Sequence, residues 1–332
     1  MDPETFPVIE LPAPPRRNVI FFNEHGLRSG WRLLIFVSML ATVYFGFTAV
    51  IHLLQKVVQS AGSAPPPPSQ PGVYFLPVAQ LASELIVFLI VLFFTWIMSR
   101  IEHRKMRAYG LPLEKSALSR FITGYIFWGF LPLTVLLLVL RALHVFYFGG
   151  LALHGNQILI WGILWGLAFL TVGLFEEFFF RGYVLYTLAE GIGFWPATVV
   201  LAILFALAHA DNGGETRIGL IGVALFAIFA CAAIWRTGNL WLAIGAHAGW
   251  DWGQSYFYGV NDSGAPLPGH LLNPHIAGPV WLSGGTVGPE GSALTLLLLL
   301  LMAIAVLMVY PPTKRAFTVT DETGVQPVSP AR

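Results

Sequence analysis

Long apolar stretches separated by short polar ones run through most of the 332-residue chain. A helix needs about 20 mostly apolar residues to cross the hydrocarbon of a bilayer. Eight segments meet or approach that length: 31–55, 74–99, 121–147, 159–188, 195–210, 217–235, 239–258 and 292–310. The fourth is long for a perpendicular span, so it is expected to tilt or to extend past the lipid. The fifth is short and stops at DNGGET (Asp211–Thr216), a loop signal. The pattern predicts an all-α, polytopic membrane helix bundle of about eight transmembrane helices. It divides the chain into a tail (1–30), two helices with a basic loop (31–118), a central bundle (119–258), a Gly/Pro/Asn-rich loop (259–291), a last helix (292–310) and a second tail (311–332).

Composition agrees. Hydrophobic residues make up 56% and charged residues 11%, against about 25% charged in soluble domains. Mean hydropathy is +0.71. The formal net charge of +1, with no basic stripe, argues against nucleic acid as a partner and leaves the lipid bilayer. The single cysteine, Cys231, sits in an apolar segment and is expected to pack. The N-terminal MDPETFPVIELPAPPRRN lacks an apolar core behind a positive start, which argues against a cleaved signal peptide. Arg16, Arg17, Arg28 and Arg32, the run Arg100–Arg107, Lys115, Arg120, Arg236, Lys314 and Arg315 all fall on one side of an eight-span topology. The positive-inside rule makes that side cytoplasmic, with both termini inside a multi-pass cell-membrane protein. The opposite side carries the polyproline stretch SAGSAPPPPSQPG.

Three polar islands interrupt the apolar pattern. The first is GLFEEFFFRGYVL, Gly173–Leu185. An ionisable residue at the centre of a span costs about 2.5–3.5 kcal/mol on insertion scales and faces the bundle interior. Glu177 and Arg181 are i,i+4 with the acid first, the favourable order for an ion pair. Glu176 lies about 100° away around the helix, without a local cation, and is the candidate base. A structural ion pair near an interface, with Glu176 in water, fits these spacings as well.

The second island is His209 in FALAH, four residues after Phe205 at the end of the short fifth segment. The third is IGAHAGWDWGQ, where His247 and Asp251 share a face. Gly245, Gly249 and Gly253 form a second row offset by about 200°, which lets another helix approach closely. His247 and Asp251 suit a hydrogen-bonded structural pair, metal ligation or catalysis equally. Glu84, in the second segment, reads as lying near the outer interface. Converging, Glu176, His209, His247 and Asp251 would have the chemistry of a metal-assisted or acid–base hydrolase.

At these residues the sequence resembles the CPBP family of intramembrane metalloproteases, which includes type II CAAX prenyl endopeptidases and bacteriocin-processing or immunity proteins. The family pattern EExxxR, FxxxH, HxxxN/D stands here as Glu176–Arg181, Phe205–His209 and His247–Asp251. The resemblance covers roughly 120–260. It implies peptide-bond hydrolysis in the bilayer of a membrane-associated peptide or protein, such as a prenylated CAAX-like C-terminus or a leader peptide. It makes Glu176 the base and His209 its partner, with His247 and Asp251 binding metal or stabilising an oxyanion. Glu177 and Arg181 hold the helix geometry, with Phe205 in support. It implies Zn2+ at Glu176, His209, His247 and Asp251, with water activation by Glu and His alone left open. The prenyl endopeptidases carry Asn where this chain has Asp251; an ionised Asp would repel an oxyanion, which favours a ligand or orienting role. No HExxH is present. A non-catalytic immunity or scaffold protein of the same fold is the main alternative. A proton-coupled transporter is the other, against which stands the lack of a symmetric second half.

Overall fold

The computed structural model describes residues 20–23, 26–60, 72–264 and 266–311. The polyproline stretch, Arg16, Arg17, Lys314 and Arg315 lie outside them almost entirely. The described chain is a helix bundle with only four two-residue strands. β1 (Phe22–Asn23) pairs with β2 (Gly26–Leu27) before α1 (Ser29–Ser60). Then come α2 (Phe75–Ile101), α3 (Ser116–Thr123), a π-helical segment (Gly124–Phe130) and α4 (Leu131–Ala142). Strand β3 (Phe146–Tyr147) precedes α5 (Asn156–Arg181), α6 (Tyr183–Ile192), α7 (Phe194–Ala208), α8 (Arg217–Thr237) and α9 (Trp241–Asp251). A second π-helical segment, Trp252–Phe257, extends α9. Strand β4 (His275–Ile276) pairs antiparallel with β3; the short α10 (Val280–Ser283) and then α11 (Ala293–Val309) follow.

All eight apolar segments have a helical counterpart. Five described helical stretches are long and apolar enough to cross a bilayer, and α7 and α11 are shorter apolar helices. The protein is a multi-pass membrane protein. Its outer helices expose Phe45, Phe47, Leu53 and Phe93, as expected of a surface that faces lipid rather than water. The long fourth segment is not one tilted rod. It breaks at Gly182, whose ψ of −119° leaves the helical region, and the chain continues as the separate α6.

Polar ends are closed locally. Thr216 accepts from the Gly219 N–H at the start of α8, and Ser292 from Leu294 N–H at the start of α11. At the N-terminal end of α1, Arg32 pairs with Glu102 at 2.7 Å and Glu190 at 2.5 Å. Tyr183 and Tyr109 donate to the same Glu102. This cluster ties α1, the end of α2 and α6 together.

Helix α9 is central: Leu242 to Asp251 are all buried. The glycine row explains how. A Cβ on Gly245 would lie 2.1 Å from the Phe121 carbonyl oxygen, and one on Gly249 2.2 Å from that of Tyr125. Facing them, Gly124 and Gly129 meet the carbonyls of Leu242 and Ala246 as closely. Backbone lies on backbone, as small residues permit between membrane helices. Cys231 is buried, as its apolar setting implied.

Gly249→Val is therefore expected to destabilise the bundle by roughly 1–3 kcal/mol or more through overpacking, read as a lowered Tm in detergent. Gly46→Val, where a Cβ meets nothing within 4 Å, is expected to leave Tm unchanged.

Candidate active site

The Glu177–Arg181 pair predicted from spacing forms within one turn of α5. Arg181 Nη1 donates to Glu177 Oε1 at 2.7 Å, and both side chains are fully buried. That oxygen has a second donor. His247 Nδ1, on α9, lies 3.0 Å from it. The carboxylate therefore joins α5 to α9 as well as closing its own turn. Arg181 in turn stacks over the ring of Phe205, 4.3 Å from its centroid, a cation–π contact strengthened by burial.

Phe205 also supplies its carbonyl oxygen, 2.8 Å from Nδ1 of His209 at the C-terminal end of α7. The FxxxH spacing thus places one residue's ring under the arginine and its carbonyl against the histidine. Both histidines have Nδ1 against an oxygen acceptor; in the neutral ring this places the proton on Nδ1 and leaves the Nε2 lone pair free.

Those two Nε2 atoms converge on Glu176. Glu176 Oε2 is 3.9 Å from His209 Nε2 and 3.8 Å from His247 Nε2. It is buried and has no hydrogen-bond partner. Asp251 Oδ2 lies 3.4 Å from His247 Nε2. The structure thus brings together all four residues singled out from sequence. Asp251 sits on the Nε2 side of His247; Glu177 occupies the Nδ1 side and is the group that orients the ring. With both rings neutral, these are four acceptor atoms around one small space, which fit a cation or a water molecule. An Nδ1-anchored histidine is the usual state of an imidazole metal ligand. Tetrahedral zinc bonds of about 2.0–2.1 Å need the donors drawn somewhat closer than they stand, and no described group already has metal-holding spacing.

The four residues line a cavity of about 490 Å³. Its lining includes the aromatic side chains of Trp165, Phe169, Phe175, Phe179 and Phe226. Beside Glu176, His209, His247 and Asp251 it is lined by polar residues that the sequence reading did not select: Asp262 and Ser263 after α9, Glu290 before α11, and Asn212 after α7. The loop 259–291 is therefore part of the site. Ser255 donates to Asp262 at 2.8 Å, the Ser263 N–H donates to Glu290, and Trp165 Nε1 donates to the Pro268 carbonyl. Burial pushes the Asp262 carboxyl up to about 6, against the Ser255 hydrogen bond, which favours the ionised form. Burial and the Asp262 charge raise Glu290 as well. The only sequence signal for these acids was their place in polar loops next to core helices.

Residues 157–253 match the family described as Rce1-like, type II CAAX prenyl endopeptidase Rce1-like. This segment is an Rce1-like domain. It runs from the start of α5 through α9 and so contains every residue of the convergent cluster. No curated protein and no solved structure matches the chain. The cavity reaches beyond the Rce1-like domain, taking Gln80 from α2 and Thr295 and Leu299 from α11.

Two expectations follow. Glu177→Gln is expected to cost about 3–5 kcal/mol in stability, because it leaves buried Arg181 without a counter-charge; thermal melting in detergent reads this, with Glu176→Gln near wild type. Asp262 binds its proton more tightly folded than unfolded, so its contribution to stability falls as pH rises from about 4 to 6. Asp262→Asn is therefore expected to gain Tm relative to wild type at pH 7 and to show no gain near pH 4.

Proposed function

We propose that the protein is an intramembrane endopeptidase in which Glu176, His209 and His247 activate water against a peptide bond of a membrane-associated substrate. The observation that carries this reading is the convergence of Glu176 Oε2 with two histidine Nε2 atoms in one cavity. A water seated among them gives one proton to Glu176 and hydrogen-bonds a histidine through the other. The resulting hydroxide attacks the carbonyl carbon, and Glu176 returns its proton to the leaving amine. Burial strengthens each of these interactions by excluding bulk water.

The residues present fit zinc by donor type. Glu176, His209, His247 and Asp251 would hold it, and it would supply Lewis-acid polarisation and acidify bound water toward neutral pH. Asp251, where the prenyl endopeptidases have Asn, acts in this reading as a metal ligand or in its protonated form, since an ionised carboxylate would repel the developing oxyanion. Glu177 and Arg181 position His247 and remain outside the chemistry.

The family match and the aromatic residues lining the cavity support the substrate class. An apolar moiety, such as the prenyl group of a CAAX-like C-terminus or the apolar stretch of a leader peptide, lies along Trp165, Phe169 and Phe175. The reading keeps the cell membrane as the location, with both termini cytoplasmic, on the charge asymmetry of the loops.

The test is cleavage of a farnesylated CAAX peptide and of a leader-peptide panel by purified wild type and Glu176→Gln, with zinc per chain measured in both and in His209→Ala. A loss of about 10²–10⁴-fold in Glu176→Gln, with the variant monodisperse and melting near wild type, is expected. Bound zinc that falls in His209→Ala supports the metal scheme. Equal cleavage by both proteins, or no cleavage by either, contradicts the proposal and favours a non-catalytic scaffold or immunity role.

A further inference from the structure

The bundle has two chemically different ends, and contacts between its elements show which residues lie at each. At one end Arg32, near the start of α1, reaches Glu102 after α2 and Glu190 on α6. The chain entering α9 joins the same end: the Leu240 N–H donates to the Gly110 carbonyl and Trp241 Nε1 to that of Pro112. At the other end Tyr74, just before α2, packs on Trp161 of α5 with 5.1 Å between ring centroids. Tyr256, past α9, donates to the Ile158 carbonyl at 2.6 Å, and Trp165 to that of Pro268. Thr286 reaches the Gly214 carbonyl there, so the loop after α7 lies at this second end too.

Charge divides unequally between the ends. Arg28, Arg32, the basic residues of Arg100–Arg107, Lys115, Arg120 and Arg236 lie at or beside the first; Lys56, Arg141 and Arg217 lie at the second. Loops rich in Lys and Arg stay in the cytoplasm, which makes the first end cytoplasmic.

The cavity belongs to the second end. Gln80 stands in the second turn of α2, Asp251 is the last residue of α9, and Thr295 is in the first turn of α11. Asn212, Asp262 and Glu290 come from the loops of that end. Among the described residues, none that lines the cavity comes from α3, α6 or the loops of the basic end. Toward the basic end the site is sealed. Arg181 and Glu177 are fully buried, and beyond them Phe178, Tyr183, Leu185, Ile234 and Ala243 form one core with at most 1% exposure. A core packed in this way leaves no passage for water or for a peptide.

We propose that the cleavage site opens to the extracytoplasmic face and takes an apolar membrane segment whose polar flank lies on that side, as in the leader of a translocated protein. The inference rests on the protease reading and chooses between the substrate classes named there. The apolar stretch lies against Phe175 and Phe179, and the chain beyond the cleaved bond leaves past Asn212, Asp262 and Glu290. Water for the reaction enters by the same polar mouth. A C-terminus presented at the cytoplasmic face meets the sealed end instead.

The experiment uses sealed right-side-out and inside-out vesicles from cells that produce the full chain. Leu113→Cys reports the basic end, where Leu113 is 91% exposed in the loop before α3, and Asn212→Cys reports the cavity mouth. Wild type, whose lone Cys231 is buried, is the blank. A membrane-impermeant maleimide is expected to label Asn212→Cys only in right-side-out vesicles and Leu113→Cys only in inside-out ones. A synthetic leader peptide with a charged, impermeant tag on its polar flank is expected to be cut by wild type in right-side-out vesicles. That cleavage is expected to be lost in inside-out vesicles until detergent opens them. The reverse labelling, cleavage confined to inside-out vesicles, or equal cleavage in both sealed preparations overturns the proposal. Labelling as expected, with no cleavage even in detergent, supports the outward-facing cavity and contradicts the protease reading instead.

Discussion

One carboxylate oxygen organises the centre of the bundle. Glu177 Oε1 accepts from Arg181 within α5 and from His247 on α9. In a medium with little water, neither ion can be left alone, since an uncompensated buried charge costs several kcal/mol. The pair is therefore fixed in place, and with it the face of the imidazole that looks into the cavity. Arg181 carries the order onward to α7 by lying on the Phe205 ring, and the Phe205 carbonyl fixes His209. Three helices are joined by a chain of contacts that starts at one acid, and the neighbouring acid, Glu176, is left facing two histidine Nε2 atoms.

That arrangement needs α9 at the middle of the molecule. Glycines on its other face allow it: Gly245 and Gly249 bring its backbone against the π-helical region that begins at Gly124. A π-turn in each of the two facing segments widens the helix locally, a feature often found near functional sites. The catalytic face and the packing face of α9 are thus set by the same short sequence, IGAHAGWDWGQ. The loop between α9 and α11 lines the cavity through Asp262, Ser263 and Glu290, and is tied to the bundle by the β3–β4 pairing and by Trp165.

Much of this was legible in the sequence because membrane helices carry strong signals. Apolar length marked the helices, and three polar islands at helical spacing marked the convergent residues. The break at Gly182 was hidden because α5 and α6 are both apolar, so hydropathy runs through it. The bond from Glu177 to His247 joins residues 70 apart, and the local i,i+4 rule finds only the arginine. Asp262 and Glu290 lay in a loop whose polar composition is ordinary for the outside of a bundle, and only the folding of that loop over the cavity places them at the site.

The account depends most on the histidines presenting unprotonated Nε2 atoms to Glu176. The most direct test is 15N NMR of histidine-labelled protein in lipid at neutral pH, with the His247 signals assigned by difference against His247→Asn. A neutral ring protonated on Nδ1, changing to a mixture of tautomers when Glu177 is replaced by Gln, is the predicted result. A ring protonated on Nε2, or one indifferent to Glu177, would contradict it.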